Sequence, residues 1–116
     1  VSGLQQARDA VHDALSARLP ATVYLGPPRT MTTPCVVIRP GDPWMDPDHV
    51  VRLEVECHVR LTGPALPALV RLEALVGRAL ELLSAGGIAP GDLQQAQESK
   101  TLGTYSAVIA VTHRTC

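Results

Sequence analysis

Val51-Arg52-Leu53-Glu54-Val55-Glu56-Cys57-His58-Val59-Arg60-Leu61 alternates apolar and polar residues without a miss. Successive side chains of a strand point to opposite faces, so a period of two marks a strand with one dry and one wet face. Eleven residues at roughly 3.3 Å each span about 35 Å, which is long for a chain of 116 residues. The even-numbered residues Arg52, Glu54, Glu56, His58 and Arg60 form the wet face, with charges of both signs. The dry face needs a cover, and the rest of the chain supplies it.

Downstream, Gly63-Pro64 breaks the strand, and Pro67 fits the first turn of a helix over residues 66–83. Its apolar surface, Leu66, Leu69, Val70, Leu72, Leu75, Val76, Leu80, Leu82 and Leu83, is wider than a single stripe. Such a helix is sandwiched between other elements or covered in part by another subunit. Gly86-Gly87 ends it. Pro90-Gly91-Asp92 reads as a turn, residues 93–98 as a short helix or an edge strand pairing back from Leu102-Gly103, and residues 105–113 as a covered strand.

Upstream, Leu4, Ala7, Val11, Ala14, Leu15 and Leu19 share one face of an amphipathic helix over residues 4–19. Ser2-Gly3 offers an N-cap region and Pro20 a stop. Residues 22–25 form a short strand, and Gly26 to Pro34 (GPPRTMTTP) is too rich in Pro and Gly for regular structure. Cys35-Val36-Val37-Ile38 suits a strand covered on both faces. The following Arg39-Pro40-Gly41-Asp42-Pro43-Trp44 reads as tight turns, continued through Asp46 and Asp48. The expected fold is therefore a single α+β domain over residues 1–116, with a mostly antiparallel sheet of four or five strands and two main amphipathic helices packed on it.

Composition bounds the function. Hydrophobic residues make up 46% and charged residues 18%, the reverse of a disordered chain. With aromatics at 3% and no Phe, the core is built from Val, Leu, Ile and Ala. The net charge is −1 and Lys100 is the sole lysine, so no basic stripe points to tight binding of nucleic acid or an anionic membrane. Cys35, Cys57 and Cys116 lack the number and spacing of a disulfide framework or zinc ribbon. No run is long enough for a membrane helix, and Arg8, Asp9 and Asp13 argue against a signal peptide. Assembly in the cytoplasm is expected.

Chemistry-bearing motifs are scarce. His58 and His113 could meet across a sheet, yet nothing nearby in sequence completes the three or four ligands of a zinc site. Asp42, Asp46 and Asp48 share one loop, but the twelfth position counted from Asp42 is Leu53 and from Asp46 is Cys57, so a calcium loop fails. Turn formation explains those aspartates. Cys35 and Cys57 occupy inward strand positions, where cysteine acts as a small hydrophobe. No nucleophile motif or phosphate-binding glycine loop is present, and neither an enzyme nor a bound cofactor is expected. Trp44, beside Met45, falls outside every core pattern and either folds back over the sheet or anchors into a neighbouring subunit.

The segment order and the stretch CVVIRPGDPW, from Cys35 to Trp44, make the chain resemble the tail-terminator proteins of long-tailed (siphovirus-type) bacteriophages, particularly those of actinobacterial hosts. The resemblance covers the first helix, the Pro-rich loop before CVVIR, the long alternating strand, the Leu-rich helix and the closing strand. It implies a structural virion protein at the head-proximal end of the tail, forming a ring, typically a hexamer, that caps the tail tube, halts its polymerisation and presents a surface for the head–tail connector proteins. It implies DNA passing through the lumen without specific binding, no membrane partner and no cofactor. A cyclic ring joins two different patches of neighbouring copies. The candidate patches are Arg39, Asp42, Trp44 and Met45 on the loop, and Arg52, Glu54, Glu56, His58 and Arg60 on the wet face, where charges of both signs could pair across subunits and fix register or simply meet solvent. The alternatives are another head–tail joining part, such as a head-completion protein, and a small α+β enzyme or ligand-binding domain.

Overall fold

The computed structural model describes residues 3–16, 18–19, 21–26, 32–45, 50–60, 65–93, 97–99 and 103–114. In chain order the elements are α1 (Gly3–Ser16), β1 (Thr22–Tyr24), β2 (Cys35–Met45), β3 (Val50–Arg60), α2 (Ala65–Ala85), β4 (Ala89–Leu93), β5 (Gln97–Ser99) and β6 (Thr104–Arg114). One sheet runs β1-β2-β3-β6-β4, and β5 also pairs with β6. Since β4 pairs with residues 109–112 of β6 and β5 with residues 104–106, the two short strands occupy one edge in succession. The sheet is thus five positions wide, parallel only where β1 meets β2. The architecture is the expected α+β one.

The alternating stretch forms the backbone of this sheet. β3 pairs along its whole length with β6, from Val50↔Arg114 to Arg60↔Thr104. Its odd-numbered residues Val51, Leu53, Val55, Cys57 and Val59 are buried in one core with Val36 and Ile38 of β2 and Ala107, Ile109 and Val111 of β6. Both helices cover that face and touch each other. α1 contributes Ala7, Val11 and Leu15, while α2 contributes Ala68, Leu72, Ala79 and Leu83 among others, at the three- and four-residue steps that put side chains on one helical face. Each large aliphatic side chain so buried stabilises the fold by about 1.5–3 kcal/mol.

The helix ends follow local chemistry. α1 stops at Ser16, three residues short of the expected end, although Leu19 N–H still donates to Leu15 C=O at 3.0 Å. Arg8 of α1 donates to the carbonyl of Leu25, tying the helix to the chain just past β1. At the end of α2, Gly87 adopts φ +75°, Ile88 N–H reaches Leu83 C=O at 2.9 Å and Gly87 N–H reaches Ser84 C=O at 3.1 Å. This is a Schellman cap, in which glycine takes the left-handed conformation without the Cβ penalty.

Two expected turns are strands. β2 continues through Arg39-Pro40-Gly41-Asp42-Pro43-Trp44 to Met45. The irregularity that Pro and Gly impose appears instead as a register shift: between Pro40↔Leu53 and Met45↔Val51, five steps along β2 oppose two along β3. β1 pairs only with Cys35, Val36 and Val37, so beyond Val37 β2 is an edge strand, where proline's missing N–H is tolerated. Pro90-Gly91-Asp92 is likewise strand, in β4, with one extra residue between Pro90↔Val111 and Leu93↔Ile109. A glycine sits at each shift against the neighbouring strand. A Cβ on Gly41 would lie 3.1 Å from the Arg52 carbonyl oxygen, and one on Gly91 would lie 3.2 Å from that of Ala110. Of residues 93–98, those the structure describes are strand: Leu93 belongs to β4, and Gln97–Ser99 pairs back onto β6, while residues 94–96 lie outside the described residues.

Candidate interaction surfaces

The face of the sheet turned away from the helices carries the predicted wet set, and it is not uniformly wet. Arg52 and Arg60 are exposed, Glu54 and Glu56 are half-buried, and His58 is buried at 5% exposure. The expectation of a solvated His58 is therefore corrected. Alternation identified the side on which His58 lies, but that side is dry around its position. Cys35 and Val37 of β2, paired with His58 and Glu56, are also buried, as is Thr104 of β6. Neither Cys35 nor Val37 belongs to the helix-covered core. Cys35 thus lies on the opposite face from Cys57, contrary to the inward placement expected for both.

A row of polar contacts crosses three strands at this dry end. Arg39 Nη1 donates to Glu56 Oε2 at 2.6 Å, Glu56 Oε1 lies 3.3 Å from His58 Nε2, and His58 Nδ1 lies 3.4 Å from Thr104 Oγ1. An ionised carboxylate only accepts, so the His58–Glu56 bond requires the proton on Nε2, and the Thr104 hydroxyl then serves Nδ1. The bond from His58 holds the Glu56 carboxyl below its ordinary range; burial pushes the other way, and the bond and charge of Arg39 add to the lowering. Burial, with a smaller push from the Glu56 carboxylate, raises the Cys35 thiol to about 11. Burial, aided by Cys35, raises Cys57 to about 12. Both thiols stay protonated at neutral pH, a poor state for a nucleophile. The row pins β2, β3 and β6 together in register.

His58 and His113 do not meet. His58 pairs with Ser106, while His113 pairs with Val51, seven residues along β3 and on the helix-covered side of the sheet. Among the described residues no three His, Cys, Asp or Glu side chains come together as a metal site. Asp42 and Trp44 lie in β2 within its register shift and Met45 at its far end, but their side chains, like all of Asp46 and Asp48, lie outside the described residues, as does Cys116.

Two clefts flank α2, and neither involves the polar row among the described residues. One, of about 350 Å³, runs between α2 and β4 and is lined by Leu69, Leu72, Val76, Leu80, Leu93 and Ala107 with Glu73 and Gly77. On this side α2 leaves apolar side chains in solvent, Leu66 at 69% exposure, Val70 at 60% and Leu69 at 38%, and β4 leaves Leu93 at 52%. The excess apolar width of this helix in the sequence is therefore accounted for only in part by the core. The second cleft, of about 480 Å³, lies on the other flank of α2, where Val59 and Arg60 end β3; Thr33, Pro34, Arg71, Ala74, Leu75 and Arg78 complete its wall. Sequence reasoning missed both clefts. The unused apolar positions of α2 signalled the first, and the spacing of Arg71 and Arg78 on one helix face signalled the second.

No described helix is long and apolar enough to cross a membrane. Comparison with protein-family models and with curated proteins gives no match.

Proposed function

We propose that the chain is a structural assembly subunit that caps the head-proximal end of a phage tail tube as a ring, ending tube growth and offering the head its joining surface. The observation that carries the assembly part of this reading is the exposed apolar flank formed by Leu66, Leu69 and Val70 of α2 with Leu93 of β4. Leu69 and Leu93 line the groove of about 350 Å³ itself, and exposed apolar side chains gathered at a groove mark an interaction site more often than idle surface. The tail-terminator part rests on the resemblance of segment order and of CVVIRPGDPW, together with a scaffold made almost wholly of aliphatic packing and strand pairing. The near-neutral charge suits a passage that DNA traverses without sticking.

The test is the length distribution of tail tubes polymerised in vitro from purified tube protein of the matching phage, imaged with and without this chain. Capped tubes of arrested length, with this protein at one end, are the expected result. Unaltered growth at saturating protein would overturn the terminator reading. Light scattering across a concentration series, with negative-stain imaging, reports separately whether the free protein already forms rings.

A further inference from the structure

The second cleft beside α2 has a specific chemistry. Its floor is apolar, with Val59 and Leu75 from the core and Ala74 and Pro34 beside them, and its rim carries three arginines, Arg60, Arg71 and Arg78. Arg71 is held over the strand end by donating from Nη2 to the Arg60 carbonyl at 2.9 Å, which uses one of its five N–H donors. Arg78 pairs with Glu81 at 3.0 Å, but both side chains are well exposed (44% and 70%), and such a surface pair is weak and readily exchanged for a better partner. Among the described residues no carboxylate lines the cleft or pairs with Arg60 or Arg71.

The order of charges along the chain accounts for this imbalance. No Asp or Glu occurs between Asp13 and Asp42, the stretch that supplies Thr33 and Pro34, or between Glu56 and Glu73, the stretch that supplies Val59, Arg60 and Arg71. Glu73 itself lines the other cleft, on the opposite flank of the helix. Arg71 and Arg78 are seven residues apart, two helical turns, so they share one face and stand about 10 Å apart along the axis. Like charges gathered over a low-dielectric wall focus the field and draw anions to it.

We infer that this cleft binds an acidic segment of a partner protein, in which an apolar side chain is flanked by carboxylates. The apolar side chain covers Val59 and Leu75, and the carboxylates meet the guanidinium groups in the paired N–H geometry that a lysine does not offer. An extended segment at about 3.1 Å per residue places residues three apart at about 9 Å, close to the spacing of Arg71 and Arg78. The fitting pattern is therefore a carboxylate, two residues of which one is apolar, and a second carboxylate. The openness of the cleft favours a segment over a small molecule: Pro34, Arg60, Arg71, Ala74 and Arg78 are all exposed, whereas a small-molecule site encloses roughly 70–90% of its ligand. A nucleic-acid backbone would use the arginines but bring no apolar group to the floor, and a chain of net charge −1 offers it no wider basic surface to follow. The inference needs neither the ring nor the terminator reading.

The test is a selection from a displayed library of random decapeptides on the immobilised full chain, followed by fluorescence anisotropy of the enriched peptides in solution. Enriched peptides are expected to carry an apolar residue between two carboxylates. They should bind roughly tenfold or more weakly to Arg71→Gln/Arg78→Gln, whose fold is checked by far-UV circular dichroism, and more weakly to wild type when their carboxylates are replaced by amides or salt is raised. Glu81→Gln releases Arg78 from its pair and leaves the cleft floor untouched, so it is expected to bind the same peptides about two- to fivefold more tightly. A selection that enriches no acidic peptide, or enriched peptides that bind the double variant as they bind wild type, would overturn the inference. So would a duplex oligonucleotide that displaces the peptides at their own concentration, a result that assigns the cleft to nucleic acid instead.

Discussion

Glu56 is where charge and fold meet, and its replacement by Gln gives a worked test. Its carboxylate accepts from Arg39 at 2.6 Å and lies 3.3 Å from His58. The Glu56 side chain is 18% exposed and that of Arg39 49%, so the arginine half of the interaction is discounted for solvent to about 0.5 kcal/mol. The bond to buried His58 is worth about 1–2 kcal/mol, because it joins a ring nitrogen to a charged acceptor in a partly dry setting. Gln keeps an acceptor but loses the charge, for an expected destabilisation of about 1–2 kcal/mol at neutral pH; Ala orphans the histidine nitrogen and should cost about 2–3 kcal/mol. The folded-state pKa of Glu56 lies below its ordinary value of 4.5, so on acidification the unfolded chain takes up the proton first. The stabilisation is therefore complete above about 4.5 and drains away as pH falls through the lower, folded value. Urea melts of wild type and Glu56→Gln from about pH 5 to about pH 3 should show the gap between them closing. A gap that is negligible at pH 5, or one that persists unchanged into acid, refutes the assignment of Glu56 as the charged centre of the row.

Cys35 and Cys57, with thiols raised to about 11 and about 12 by burial, should resist a disulfide-exchange reagent in the native state and react only at the rate of unfolding; rapid native labelling of either, located by mass spectrometry, contradicts their placement. Two neighbours on α2 should behave oppositely. Leu72→Ala, at a site 2% exposed, is expected to cost about 2–5 kcal/mol in chemical denaturation. Val70→Ser, at a site 60% exposed, should leave stability within about 0.5 kcal/mol and weaken self-association.

The strongly periodic elements were legible because one physical requirement shaped each of them. β3 alternates because one of its faces is closed by helices, and α1 and α2 repeat at three and four because each buries one side. The second half of β2 and Pro90-Gly91-Asp92 of β4 were misread for a single reason. Pro40, Gly41, Pro43, Pro90 and Gly91 are turn formers, yet they sit on edge stretches of the sheet, where a missing N–H and a register shift are absorbed without ending the strand. His58 was misread for another. Periodicity tells which way a side chain points but not what lies over it, and the dryness around Cys35, Val37 and His58 arises from residues distant in sequence. The arginine cleft joins Arg60 to Arg71 and Arg78 across a change from strand to helix, an adjacency that no local pattern encodes.

β6 lies between β3 and the β4/β5 edge, yet every element it touches precedes it in the chain. A ribosome therefore delivers the middle of this sheet after its flanks. Until residues 104–114 emerge, one long edge of β3 has no partner and the aliphatic face of α2 has only part of a floor, a state prone to sticking to other nascent chains. Because the contacts that close the sheet join residues some fifty positions apart, from Arg60↔Thr104 to Val50↔Arg114, closure is a late, non-local event. The yield of folded protein should therefore respond to how long the earlier elements wait for residues 104–114.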